Sequence, residues 1–200
     1  MLFSIIVTVC SGGKHLRRCL NSILAQTCSD YEIVIVSNNS VALDADLQEN
    51  EQIKAHIFAN CSLPIARKKG TNLASGEYVL YVDCKDTINN NLLSFLRYTI
   101  YRYDEPDMIR YQSNDSNYNF STYTNYPFYG IDAFNVWSIP GKNIWGFSLF
   151  AFNRISLLSN ISNSQVLNWY EGSTLLPLLI AKSKQVVNIS YVGYNFTADE

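Results

Sequence analysis

The sequence is short of charge, and neither sign prevails. Lys and Arg number 15 against 17 Asp and Glu, for a formal net charge of -2, and charged residues make up 16% of the chain. This balance removes the general electrostatic reason to expect nucleic acid as a partner. The only basic cluster is Arg67-Lys68-Lys69. No apolar run is long enough to cross a bilayer. Met1-Leu2-Phe3-Ser4 passes straight into a strand pattern, without the basic start, apolar stretch and small-residue cleavage site of a signal peptide. The five cysteines (Cys10, Cys19, Cys28, Cys61, Cys84) form no CxxC pair and no zinc spacing. Thiols of this kind, with no secretory start, fit a reducing compartment. The expected location is therefore cytoplasmic, with peripheral attachment to the inner face of a membrane as the alternative. Internal repeats and flexible linkers are missing too, so residues 1–200 read as a single domain.

What is present is hydrophobic material, 48% of 200 residues, enough for a sizeable core. Phe3 to Val9 is a run rich in β-branched residues, as in a strand buried on both faces. Leu16, Cys19, Leu20, Ile23 and Leu24 follow at helical spacing. Tyr31 to Val36 predicts a second buried strand, closed by the polar turn Ser37-Asn38-Asn39-Ser40. A polar helix over Asp44 to Gln52, a weak strand over Ala55 to Ala59, a helix over Ile65 to Ala74 and a strand over Tyr78 to Val82 come next. Strands alternating with helices imply a parallel sheet with right-handed crossovers. A helix is expected from Leu92 to Tyr103 and a strand from Met108 to Tyr111. Gln112 to Tyr129, rich in Asn, Ser and Tyr, reads as a long loop or a hairpin with loops. Order returns around Trp145 to Phe152, then in a helix from about Ser173 to Lys182 and a last strand from Val186 to Ile189.

The stretch Leu80-Tyr81-Val82-Asp83-Cys84-Lys85-Asp86 is a hydrophobic strand that ends in acids, just after Ser75-Gly76-Glu77-Tyr78. In open α/β sheets, ligands bind beyond the carboxyl ends of the strands. Carboxylates placed there can hold a divalent cation against a diphosphate.

Three early segments carry a resemblance: Phe3-Ser4-Ile5-Ile6-Val7, Leu16-x-x-Cys19-Leu20-x-Ser22-Ile23-Leu24-x-Gln26-Thr27 and Tyr31-Glu32-Ile33-Val34-Ile35-Val36. Leu63-Pro64-Ile65-Ala66-Arg67-x-x-Gly70, Ala74-x-Gly76-Glu77-Tyr78-x-x-x-x-Asp83, Ile144-Trp145-Gly146 and Leu175-Leu176-Pro177-Leu178-Leu179 extend it in the same order. Together they resemble the family 2 glycosyltransferases. The resemblance implies an α/β GT-A-like nucleotide-sugar-binding domain, with a mostly parallel central sheet flanked by helices. It also implies transfer of a sugar from a nucleotide-diphosphate donor, with inversion at the anomeric carbon.

The site residues that the resemblance implies depart from the family pattern at several points. Where the family has Asp-Asp-Gly-Ser after the second strand, this chain has Ser37-Asn38-Asn39-Ser40. Asn38 offers both a donor and an acceptor to a base edge; an Asn-rich turn without a ligand role is the other reading. Arg67 falls at the position that lies near the base, with solvated helix charge as its alternative. In the Asp-x-Asp metal motif, Asp83 keeps the first position and Asp86 the trailing one, while Lys85 replaces the acid that contacts the metal most directly. Mn²⁺ or Mg²⁺ on Asp83 would be weakened by the ammonium. Lys85 could itself neutralise the diphosphate; a decayed site is the other reading. The family's catalytic Asp aligns with Ser173, which cannot act as a base without a partner. Glu171 could take that role; an N-cap Ser173 with an acidic first turn is as good a reading. Trp145 is expected to pack, Trp169 to pack or stack on a sugar, and His15 and His56 to lie at the surface.

Two functions follow from these expectations. The first is sugar transfer onto a glycan or lipid-linked acceptor, in bacterial cell-surface polysaccharide synthesis. The second is a non-catalytic homologue that binds a partner glycosyltransferase or a glycan, suggested by the joint change of the nucleoside, metal and base acids.

Overall fold

The computed structural model describes residues 1–9, 14–39, 43–119, 124–137, 146–162 and 175–197. β1 (Phe3–Val9) and β2 (Tyr31–Ser37) are buried along their whole lengths, as strands covered on both faces are, with Ser4, Thr8, Glu32 and Ser37 buried among the apolar residues. α1 (Leu16–Leu24) joins them and buries Leu16, Cys19, Leu20 and Ile23, the residues at helical spacing. α2 (Ala45–Gln48) is only 4 residues long, and β3 (Ile53–Ile57) follows as an exposed edge strand. α3 (Leu63–Leu73) starts with Pro64 in its first turn, where a missing N–H costs nothing. β4 (Tyr78–Asp83) and the short β5 (Thr87–Ile88) bracket the acidic turn.

Beyond these come α4 (Leu92–Arg102), β6 (Met108–Ser113), β7 (Tyr126–Phe128), α5 (Gly130–Trp137), β8 (Phe150–Asn153), α6 (Arg154–Ser162), α7 (Leu175–Lys182) and β9 (Val186–Asn195). The strands form one sheet in the order β3-β2-β1-β4-β8-β6-β9-β5, with β7 also beside β9. β3, β2, β1 and β4 are parallel. The half beyond β4 is mixed: β8 runs antiparallel to both β4 and β6, while β6 and β9 are parallel.

The expected mostly parallel sheet thus holds for the first four strands and gives way to mixed pairing after them. β8 has only 4 residues and no alternation, so nothing in its sequence fixes its direction. β3 begins two residues before the expected Ala55, and α2 is half the length expected. Gln112 to Tyr129 is less of a loop than its composition suggests. Gln112 and Ser113 continue β6, and Tyr126–Phe128 pairs with β9. β9 runs to Asn195, six residues past the expected end at Ile189.

The parallel half owes its alignment to close packing and to one buried acid. α3 lies against β1 and β2, and a Cβ at Gly70 would collide with Ile6. Glu32 is 1% exposed, although it carries a charge. One of its carboxylate oxygens accepts from the Ser4 hydroxyl, the Ser75 N–H and the Ser75 hydroxyl, each at 2.7 Å. The other accepts from the Lys54 ammonium at 2.7 Å. β1, β2, β3 and the turn before β4 are thereby tied to one group. Burial alone would raise the carboxyl's pKa, but the Lys54 ammonium and the Ser4 and Ser75 donors outweigh it and hold the group at about 2.

Because the folded value lies below the ordinary one of 4.5, this group adds stability that is complete above pH 4.5 and is lost as pH falls towards about 2. Glu32→Gln is expected to lower unfolding stability at pH 7 by about 1–3 kcal/mol. In denaturant titrations at stepped pH, the gap between native and variant should narrow below pH 4.5. A gap of constant size down to acid pH would show that the carboxylate's charge is not what stabilises the fold.

Candidate functional site

The carboxyl ends of β1, β2 and β4 lie side by side, because Thr8 is in register with both Val36 and Asp83. Asp83 is the last residue of β4, and its side chain is 29% exposed. Its Oδ1 accepts from the Thr8 hydroxyl at 3.0 Å and from the Arg67 guanidinium at 3.2 Å. Arg67 comes from α3 and is buried. Its guanidinium carbon lies 5.7 Å from the ring centres of both Tyr81 and Phe147. One turn on in α3, the Thr71 hydroxyl donates to the Arg67 carbonyl at 2.8 Å and pairs with the Tyr81 hydroxyl at 2.6 Å. Two aromatic walls and an ion pair therefore fix this arginine, which rules out the solvated helix charge that was its alternative.

The acidic turn is held from the far end of the chain. Asp86 is 1% exposed, and both of its oxygens are engaged: Oδ2 by the Tyr194 hydroxyl at 2.8 Å and Oδ1 by the Thr197 N–H at 2.8 Å. The same Tyr194 oxygen accepts the Asp83 N–H at 3.2 Å. Burial pushes the Asp86 carboxyl up, the Thr197 and Tyr194 donors pull it back, and the Asp83 charge pushes it up again. Burial also raises the Tyr194 hydroxyl well above its ordinary value, so it stays protonated and able to donate. Arg18 closes the arrangement, donating to the Lys85 carbonyl at 2.7 Å and to the Thr197 hydroxyl at 3.0 Å.

The sequence-predicted residues therefore fall into three groups. Arg67 and Asp83 touch. Lys85, half-buried, and Asp86 share the turn that follows, with Asp86 facing inward to β9. Asn38 sits one residue past β2 on the same edge of the sheet, its N–H donating to the Val9 carbonyl at 3.3 Å. Glu171, Ser173, Trp145 and Trp169 lie outside the described residues. His15 and His56 are half-buried rather than fully at the surface, and Cys84 is buried.

Sequence reasoning missed Thr8, Arg18, Tyr194 and Thr197. Thr8 had a signal, as a hydroxyl next to the carboxyl end of β1. Tyr194 had none, since its partners are 108 and 111 residues away.

Tyr194→Phe keeps the ring and removes the hydroxyl that serves both acids. It is expected to cost about 1–3 kcal/mol of unfolding free energy, because it strips a buried carboxylate of one donor. Denaturant titration of the two proteins measures this, and equal midpoints would show that the bridge carries no stability.

Residues 4–156 match the family model described as glycosyl transferase family 2. The glycosyltransferase GlyG of Streptococcus pneumoniae serotype 4 is 26% identical over 161 residues, covering 76% of this chain and 54% of its own length. GlyA of the same organism is 33% identical over 105 residues, covering 50% of this chain and 15% of its own length. Among solved structures, S. aureus TarS 1-349 in complex with UDP-GlcNAc superposes with a TM-score of 0.76 at 19% identity, covering 100% of this chain and 59% of that one. The chain thus spans about half the length of GlyG and less of GlyA. The family match reaches from β1 into α6 and takes in the whole Arg67–Asp83 edge, and on that ground the chain belongs to glycosyl transferase family 2.

Proposed function

We propose that the chain binds a nucleoside-diphosphate sugar and transfers the sugar, with inversion, to a glycan or lipid-linked acceptor of a bacterial surface polysaccharide. The observation that carries this reading is the Arg67–Asp83–Thr8 cluster at the carboxyl edge of the parallel strands, where such sheets bind ligands. The UDP-GlcNAc complex of the structurally similar TarS supports a uridine nucleotide as the donor class. Asn38, at the neighbouring strand end, offers the donor and acceptor pair that a uracil edge needs.

In the proposed reaction a base removes the proton of the acceptor hydroxyl, and the oxygen attacks the anomeric carbon from the face opposite the diphosphate. The bond to the nucleoside diphosphate breaks, and the leaving group departs with the electron pair. Charge develops on its phosphate oxygens, where a preorganised cation has most effect. Lys85 is the candidate, because its backbone is pinned by Arg18 beside Asp83. Glu171 is the candidate base, and Ser173 takes the position of the family's usual acid.

The described residues contain no group of three or more His, Cys, Asp or Glu that could hold a metal ion. Of the two acids at the turn after β4, Asp83 is the part-exposed one, and one of its oxygens is shared by Arg67 and Thr8. This donor set fits Mn²⁺ or Mg²⁺ only as a one-carboxylate site, completed by phosphate oxygens and water. A cation there would neutralise the diphosphate, the task also assigned to Lys85.

Calorimetry with UDP and GDP, with and without Mn²⁺, is the direct test. UDP is expected to bind, with little gain from Mn²⁺, and Lys85→Asp is expected to strengthen Mn²⁺ binding in the presence of UDP. Mn²⁺ binding to the native protein as tight as to Lys85→Asp would remove Lys85 from the metal's role.

For turnover, Glu171→Gln should lower the rate by about 10²–10⁴-fold, the usual contribution of a general base, and leave donor binding intact. Ser173→Asp should raise it. Turnover unchanged by Glu171→Gln excludes Glu171. UDP binding without turnover, even in Ser173→Asp combined with Lys85→Asp, favours a non-catalytic binder of a glycan or of a partner glycosyltransferase.

A further inference from the structure

Away from the Asp83 edge, two cavities of about 580 and 500 Å³ meet at Tyr103, where α4 ends and β7 pairs with β9. Each is within the size range of a built ligand site. Their walls are aromatic. Phe95 and Tyr191 stack with ring centres 4.1 Å apart, and Tyr98 and Tyr129 are 66% and 74% exposed.

The floor is rigid. The Tyr103 hydroxyl donates to the Asn125 carbonyl at 2.7 Å, and the Arg102 guanidinium carbon sits 5.5 Å from the centre of the Tyr103 ring. Asp104, Glu105 and Asn125 hold left-handed backbones, with φ of 56°, 57° and 58°. Asp and Asn adopt this conformation readily in turns, and Glu105 is the unusual one of the three.

The chemistry of the walls selects the occupant. Arg102 lines one cavity, Asp104 and Glu105 line the other, and all three are sequence neighbours of the shared Tyr103. Protein interfaces are depleted of charge at their centres, because a partner would have to strip water from those groups without replacing it. In the larger cavity Asp104, Glu105 and Asp107 outnumber the one cation, Lys184, which disfavours phosphate and carboxylate ligands. Exposed tyrosine faces alternating with amide, guanidinium and carboxylate groups suit a ligand that is apolar on its ring faces and hydroxylated at its edges.

We infer that the Tyr103 groove is a second saccharide site, which holds an uncharged stretch of glycan away from the reacting sugar. This rests on the reading of the chain as a protein that acts on saccharides. β9 links the two regions: Val192 lines the groove, and two residues further Tyr194 holds the acidic turn. A glycan held in the groove would be retained between encounters with the donor site, which raises its local concentration there.

The test is amide NMR on the ¹⁵N-labelled chain, titrated to millimolar concentration with maltotetraose, cellotetraose and chitotetraose. At least one should shift the amides of Tyr98, Tyr103, Asn125, Tyr129 and Tyr191. Tyr98→Ala and Tyr129→Ala, both at exposed positions, should weaken that binding about tenfold, as loss of one aromatic contact does. Spectra of the variants away from the groove report their folding. Shifts confined to Arg67 and Asp83, or no shift with any of the three sugars, would overturn the inference. So would a self-association that Tyr98→Ala abolishes, since a second copy would then be what covers the groove. UDP binding is measured separately on the native chain; its absence alongside an intact groove response would sink the donor-site reading and leave this one standing.

Discussion

A single phenolic oxygen joins the two halves of the sheet where the chemistry is placed. Tyr194 donates to Asp86 and accepts from the Asp83 backbone, so the turn after β4 takes its shape from the last strand. Asp83 sits at the junction of the parallel strands β3-β2-β1-β4 with the mixed strands beyond. If the turn rotated, Asp83 would lose its alignment with Thr8 and Arg67. Buried as it is, the phenol keeps its proton, and the carboxylate opposite can rely on a donor.

Much of the N-terminal half was legible because local and global signals agree there. β1 matches its β-branched run residue for residue, and α1 buries the positions that its spacing marks. β3 was harder: Ile53 is only partly covered and Lys54 and Ala55 are exposed, so burial never imprinted a pattern on them. α5, α6, β5, β7 and β8 left little trace, being short or stabilised by partners distant in sequence. β8 in particular is fixed by β4 and β6 on either side, a constraint that no local window contains.

The candidate site divides the same way. Arg67 and Asp83 could be paired from their positions in a familiar order of motifs, and the structure brings their side chains together. The sequence presents Asp83 and Asp86 as similar acids, yet one is part-exposed and the other has both oxygens inside the protein. Only the tertiary fold distinguishes them, because it depends on a tyrosine and a backbone amide more than a hundred residues away. Lys85, between them, has its carbonyl tied by the Arg18 guanidinium.

The bridge from Tyr194 also orders events during synthesis. β1, β2, β3 and β4 pair among themselves within the first 83 residues, so that layer can assemble while the chain is still emerging. The acid pair cannot be set until residue 194 has left the ribosome, because the donor that fixes Asp86 does not exist before then. Until then the nascent protein carries a sheet with a loose carboxylate at its edge, and the turn after β4 takes its final shape only once β9 has emerged.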